Sequence, residues 1–192
     1  MHLRNPKPLN FDIEGGEKYD WWVNESTFPC RGQLKDLDRA PVEAKWPAGS
    51  TQTFTLEGSS PHWGGSCQVA LSYDQGKTFR VLKSFPGSCP HRVAGENQDF
   101  TFKIPPEAPA GEVLFSWSWF NREQEMYHNC ALVEITGEGG KGLDHLPEML
   151  VANVGRGCST PRTDAETDFP NPGPEVEKGD GAYPLRMPEG NC

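Results

Sequence analysis

The sequence predicts an all-β protein, an antiparallel β-sandwich with long loops and a disulfide-stapled C-terminal tail. Three observations carry that expectation. Short runs rich in β-branched and aromatic residues recur between residues 51 and 135. Turn signals separate them at intervals of roughly ten residues. The cysteines number six, with no CxxC pair, which suits an oxidised protein better than a zinc knuckle or a thiol redox site.

Residues 51–56 alternate threonines with Gln52, Phe54 and Leu56, the period of a half-buried strand. Residues 69–73 are a β-rich run, and Asp74, Gln75, Gly76 and Lys77 turn it into a partner strand at 79–82, which makes a hairpin. Further strands are predicted at 100–104, at 113–120 with alternating Phe115, Trp117 and Trp119, and at 131–135. The proline-rich stretch 105–111 can only be a loop. This pattern fits a sandwich of immunoglobulin or fibronectin type. Residues 3–50 show little periodicity, and residues 137–192 carry Gly and Pro throughout. Both are predicted to be irregular, apart from one short helical turn around 143–150. The whole chain, 1–192, reads as a single domain whose tail, 137–192, wraps the sandwich.

The preferred cysteine pairing is Cys67 with Cys89 across the hairpin, Cys30 with Cys130 tying the N-terminal loop to a late strand, and Cys158 with Cys192 closing the tail. Sequence alone leaves the other connectivities open. Asn24, Glu25 and Ser26 form an N-glycosylation triplet. No apolar run approaches the roughly 20 residues of a membrane span. With 18 Lys+Arg against 27 Asp+Glu, a net charge of -9, nucleic acid and anionic membranes are poor partners. A soluble, secreted, extracellular protein is expected, and a monomer is the default.

The candidate chemistry begins with two histidines. His2, if it were the first residue, would offer one metal both its amine and its ring. His62, in the run Ser60, Pro61, His62, Trp63, Gly64, Gly65, Ser66, Cys67, would supply a third nitrogen. A planar, nitrogen-rich set with open positions suits Cu(II), whereas zinc prefers a tetrahedron. A retained Met1 would turn the amine into an amide, so Met1 is read as a remnant of expression standing where a secretion signal was removed. If the strands that follow His62 and Tyr127 run the same way, these two residues share one end of the sandwich. Tyr127 would then be a weak axial ligand, and Glu125 an outer carboxylate able to hold water or peroxide.

His91 and His145 have no partner at ligand spacing and read as surface or structural residues. His128 also reads as structural, because neighbours on a strand point to opposite faces. Trp63 divides evenly between stacking on a sugar ring and local packing, and Trp21 and Trp22 read as core or loop packing. Rival chemistries lack support. A glycosidase needs two carboxylates roughly 5 to 10 Å apart in a cleft, and no pair stands out among 27 acids. There is no G-x-S-x-G elbow, and all six cysteines can pair.

Several motifs in one order then carry a resemblance: His2; His62 followed by Gly64, Gly65, Ser66, Cys67 and the run to Asp74; Phe115 to Arg122; Glu125 and Tyr127 with Asn129 and Cys130; the tail from Val151 to Gly155; and Phe169 to Pro174. Nearly end to end, the chain resembles the fungal lytic polysaccharide monooxygenases of auxiliary activity family eleven. The resemblance implies a histidine brace made of the His2 amine and ring plus His62, with Tyr127 axial and Glu125 as the outer acid. It implies a copper-dependent oxidoreductase that cleaves glycosidic bonds in chitin. One mononuclear copper, an external electron donor and hydrogen peroxide or dioxygen would serve it, on a flat face open to crystalline chitin or chitooligosaccharides. Two alternatives stay open: a secreted copper-binding protein with the brace but no oxidative turnover, and a monooxygenase acting on cellulose.

Overall fold

The computed structural model describes residues 1–9, 21–138 and 140–192. In chain order its strands are β1 (His2–Asn5), β2 (Ala44–Pro47), β3 (Thr51–Glu57), β4 (Ser66–Ser72), β5 (Arg80–Phe85), β6 (Asp99–Lys103), β7 (Gly111–Phe120) and β8 (Met126–Thr136). Five two-residue strands follow in the tail: β9 (Cys158–Ser159), β10 (Glu166–Thr167), β11 (Glu175–Val176), β12 (Leu185–Arg186) and β13 (Glu189–Gly190). One sheet has the order β1-β3-β6 and the other β11-β5-β4-β7-β8-β2. The expected all-β sandwich is therefore present. Its centre is antiparallel, and both edge strands of the larger sheet, β11 and β2, join in parallel.

Between the sheets lies an aromatic core. Phe54 stacks on Phe100 at 5.2 Å between ring centres, Phe102 stacks on Phe115 at 5.1 Å, and Trp46 meets both Phe102 and Phe115 edge to face. Phe115, Trp117 and Trp119, at every second position of β7, all bury on this side, as a period of two requires. The opposite face of the larger sheet is buried as well. There Phe79, Leu114, Phe120, Met126, Met149 and Phe169 form a second apolar cluster.

That second face also carries polar groups, and these secure the tail. Gln68 accepts a hydrogen bond from the Leu150 amide at 2.9 Å, the Ser84 hydroxyl donates to the Pro172 carbonyl at 2.7 Å, and the Ser66 hydroxyl donates to the Thr167 carbonyl at 2.6 Å. The bonds of Gln68 and Ser66 are buried and that of Ser84 partly so, and each satisfies polar groups that would otherwise be costly to desolvate. Through these bonds the Gly- and Pro-rich tail packs on that face, and all three preferred disulfides are formed: Cys30–Cys130, Cys67–Cys89 and Cys158–Cys192.

Three expectations need correction. Residues 3–50 are less irregular than their composition suggests: β1, β2 and 3-10 turns over Cys30–Arg39 lie within them. These pieces are too short to show a period, and pairing to β3 and β8 holds β1 and β2. The helical turn at 143–150 is a single turn closed by the Leu146 amide on the Leu143 carbonyl at 2.9 Å. Pro147 lacks the N–H that a helix would use next and disfavours helical backbone before it, and the chain continues extended beside Phe79 and Val81. Finally, β8 begins at Met126, so Tyr127 lies within the strand instead of ahead of it.

The tail is also tied by charge. Arg92 donates from Nε and Nη2 to the two oxygens of Asp180, both at 2.9 Å. Those bonds hold the Asp180 carboxyl below its usual 3.8, at about 2. The unfolded chain therefore takes up a proton first as pH falls, and the contribution present above pH 3.8 is lost as pH drops through about 2. Asp180→Asn should flatten the dependence of melting temperature on pH between 4 and 2. A slope equal to wild type in thermal melts across that range would refute this assignment.

Candidate metal centre

Because β7 runs antiparallel to both β4 and β8, β4 and β8 run the same way. The segment entering β4 and the start of β8 therefore meet at one end of the sheet. The register places Ser66 opposite Phe120, and Trp119 opposite Tyr127. His62 arrives just before β4, and the β7–β8 turn delivers Glu123, Glu125 and Tyr127.

The turn is organised by the buried side chain of Asn121. Its Oδ1 accepts the amides of Glu123 and Glu125, each at 3.0 Å, and its Nδ2 donates to Glu125 Oε2 at 2.6 Å. The Tyr127 hydroxyl donates to the same Glu125 oxygen at 3.1 Å. The Tyr127 ring is buried and stacks on Trp119 at 4.5 Å, and the His62 ring lies 5.6 Å from Trp119 and 6.3 Å from Tyr127. His62 Nδ1 sits 2.8 Å from Glu123 Oε2. Ligand atoms of His62, Glu123 and Glu125 all lie within 4.8 Å of one another.

The His62 segment has unusual backbone. His62, Trp63, Gly64 and Gly65 all have positive φ, at 45°, 56°, 96° and 121°. For a residue with a Cβ this region costs about 1 to 3 kcal/mol and persists only where surroundings over-determine it. Gly65 is the position where no side chain fits, since a Cβ would run into the Phe120 carbonyl and meet Trp119 Nε1 at 2.7 Å. The result leaves Trp63 61% exposed beside His62.

His2 lies on β1 opposite Glu57, with its Nε2 3.9 Å from Glu57 Oε2. Burial, together with the positive charge of the chain's amine, pulls its pKa below 6.5. Met1 is buried, and its amine is 3.5 Å from the Ser60 carbonyl, two residues before His62. The start of the chain thus reaches the His62 end, while His2 joins neither of the converging ligand groups found among the described residues. The second such group, Cys30, His128 and Cys130, holds a disulfide. There His128 Nδ1 accepts the Cys30 amide at 2.9 Å, and burial pushes the imidazole down to about 3. This is the structural role expected of it.

The remaining sequence expectations sort readily. His91 stacks on Phe100 at 4.6 Å, and His145 Nε2 is 3.2 Å from Glu107. Trp21 and Trp22 are not in the core: they are 53% and 48% exposed and meet each other edge to face. The residue of this cluster that the sequence did not suggest is Glu123. No local signal marks it, because Glu123 lies in the β7–β8 turn, where Gln124 has a φ of 61°, and its partner His62 is 61 residues away.

The donors present fit copper in part. An imidazole whose Nδ1 is engaged by a carboxylate keeps Nε2 for a metal, and such outer carboxylates commonly orient ligating histidines. The His2 nitrogen, as an amide behind Met1, does not fit until Met1 is removed.

No family model matches the chain. Curated relatives do. It is 44% identical over 140 residues to an AA11 family lytic polysaccharide monooxygenase A of Aspergillus fumigatus, covering 70% of this chain and 61% of that protein. It is 35% identical over 204 residues to an AA11 family lytic polysaccharide monooxygenase of Aspergillus oryzae, covering 92% and 48%. A second A. fumigatus protein, AA11 family lytic polysaccharide monooxygenase B, is 33% identical over 92% of this chain and 49% of its own length. The chain thus spans about half to three fifths of these relatives. Among solved structures, Cel61B from Hypocrea jecorina, a glycoside hydrolase family 61 member, overlaps with a TM-score of 0.49 at 19% identity, covering 72% of this chain and 71% of that one. That likeness bears on neither site nor substrate.

These curated relatives are all lytic polysaccharide monooxygenases. To their AA11 family the chain is similar over 70 to 92% of its own length.

Asn121→Ala would strip the Glu123 and Glu125 amides of their acceptor. It should lower stability by about 1 to 3 kcal/mol, measured by denaturant unfolding, and a stability equal to wild type would show that the turn closes without it.

Proposed function

We propose that residues 1–192 form a secreted, monomeric catalytic domain that cleaves chitin oxidatively with one copper ion. The observation that carries this reading is the surface cluster of His62, Glu123 and Glu125 beside the buried Tyr127 in a chain aligned over 92% of its length with AA11 monooxygenases. His62 and Tyr127 would hold the metal together with the His2 ring and amine, once Met1 has been removed. Copper held there would supply the redox chemistry for hydroxylating a sugar carbon beside the glycosidic bond, using hydrogen peroxide once an external donor has reduced the ion, or dioxygen with two electrons and two protons.

The chain's own residues have definite tasks. Glu123 fixes the His62 ring through Nδ1. Trp119, stacked under Tyr127, sets the height of the phenol. Glu125, held by Asn121 and Tyr127, presents a carboxylate that can accept or return a proton at the reacting oxygen. Trp63 offers an apolar ring at the exposed face, suited to stacking on a pyranose. Three disulfides and an exposed Asn24, whose Oδ1 accepts the Ser26 amide at 2.9 Å, favour an extracellular setting with the glycosylation triplet accessible. The relatives are not named for a substrate, and chitin comes from the resemblance of the motifs.

The first test incubates chitin with copper-loaded protein and ascorbate, using material confirmed by intact mass to begin at His2. Oxidised chitooligosaccharides that require the reductant are expected. Tight copper binding without products would favour the copper-binding alternative, and products from cellulose alone would move the substrate. His62→Ala should abolish oxidation. Glu123→Ala, losing the partner of Nδ1, should weaken copper binding by about 10- to 100-fold in calorimetric titration, and unchanged affinity would remove Glu123 from the site.

A further inference from the structure

The strained segment that carries His62 is held from outside itself, and the holders come from two distant parts of the chain. The Trp63 carbonyl accepts a hydrogen bond from Arg92 Nη1, and the Gly65 amide donates to Glu166 Oε1 at 2.9 Å. Arg92 and Glu166 are joined in turn by a two-pronged ion pair, Nη1 to Oε1 at 2.7 Å and Nη2 to Oε2 at 2.8 Å. The Glu166 side chain is 1% exposed. Its carboxylate therefore has no bulk water to fall back on, and a charge so placed needs its partners. Trp119 Nε1 donates to the Gly64 carbonyl at 2.9 Å, and the Cys89 amide donates to the Gly65 carbonyl at 3.2 Å.

The space around these contacts is closed. A Cβ on Gly64 would meet Arg92 Nη1 at 2.5 Å, and one on Gly87 would meet Glu166 Oε2 at 3.0 Å. The guanidinium also faces the Tyr183 ring at 4.9 Å. Glu166, Asp180 and Tyr183 all belong to the tail, which doubles back through the β10–β12 pair and is closed by Cys158–Cys192.

We propose that Arg92 and Glu166 are positioning residues for the metal centre: this ion pair, anchored in the C-terminal tail, sets the backbone of residues 62–65 and thereby the direction of the His62 imidazole. The proposal rests on His62 being the metal-binding histidine of the function proposed above. Neither residue touches the ring. Each fixes one peptide group of the turn, whose own closure is a bond from the Gly64 amide to the Pro61 carbonyl at 2.8 Å and whose positive φ at His62 and Trp63 is strained.

The test compares wild type, Glu166→Gln and Arg92→Lys, all beginning at His2. Glu166→Gln keeps an acceptor for the Gly65 amide but removes the charge that holds Arg92, and Arg92→Lys keeps the charge but loses the fork. Amide hydrogen exchange at Gly64 and Gly65 is followed in the metal-free protein. Copper affinity and the electron paramagnetic resonance spectrum are measured after loading, and melting temperature serves as the control for folding. Both variants are expected to exchange these two amides faster, to bind copper about tenfold more weakly and to show a shifted spectrum, while core strand amides stay protected. Folded variants with wild-type loop exchange, affinity and spectrum would overturn the proposal. Should Glu166→Gln fail to fold, Arg92→Lys decides by the same readings. Should wild type itself bind no copper, the proposed function fails, whereas exchange at Gly64 and Gly65 still decides whether the ion pair holds the turn.

Discussion

Everything at the His62 end depends on one constraint of strand pairing, the placement of β7 between β4 and β8. A strand antiparallel to two neighbours makes those neighbours parallel in direction, though they never touch. The segment leading into β4 and the first residues of β8 then share an end regardless of how far apart they lie in sequence. The register completes the job. Trp119 opposite Tyr127 gives the phenol a flat neighbour on the inward side, and a slip of one residue would send both rings to the other face.

Much of this was legible in the sequence because it is written in a period of two. Phe115, Trp117 and Trp119 announce β7 and the side on which it buries, and the hairpin through Asp74 and Gly76 announces β4 and β5. Local period cannot report the elements held only by partners, which is why β1 and β2 escaped notice: four residues each, they owe their form to β3 and β8. The apolar run ending at Leu150 carries helix-like spacing, yet the backbone bonds of Phe79 and Val81 claim it as extended chain. Of the site, His62, Glu125 and Tyr127 fall together as the sequence suggested. Glu123 was overlooked for want of a visible partner, and the role of Glu166 has no local signal at all, since its partners are 74 and 101 residues away.

Both faces of the larger sheet are buried, and their chemistry differs. Toward the smaller sheet it offers aromatic rings, and toward the tail it offers Gln68, Ser66 and Ser84 with apolar residues between. The first face makes a core by the hydrophobic effect. The second gives a chain with little apolar periodicity a set of specific hydrogen bonds to follow, so a Gly- and Pro-rich segment acquires one path across the protein.

That path has a consequence for the outer edge of β5. An uncovered edge strand presents free amides and carbonyls that can recruit a strand from another molecule. Here the chain covers its own edge twice. Residues 147–149 bond Phe79 and Val81, and residues 175–179 bond Ser84 and Pro86. The tail is thus also a guard against self-association: proteolytic nicking that released it would turn β5 from a covered strand into a template for aggregation.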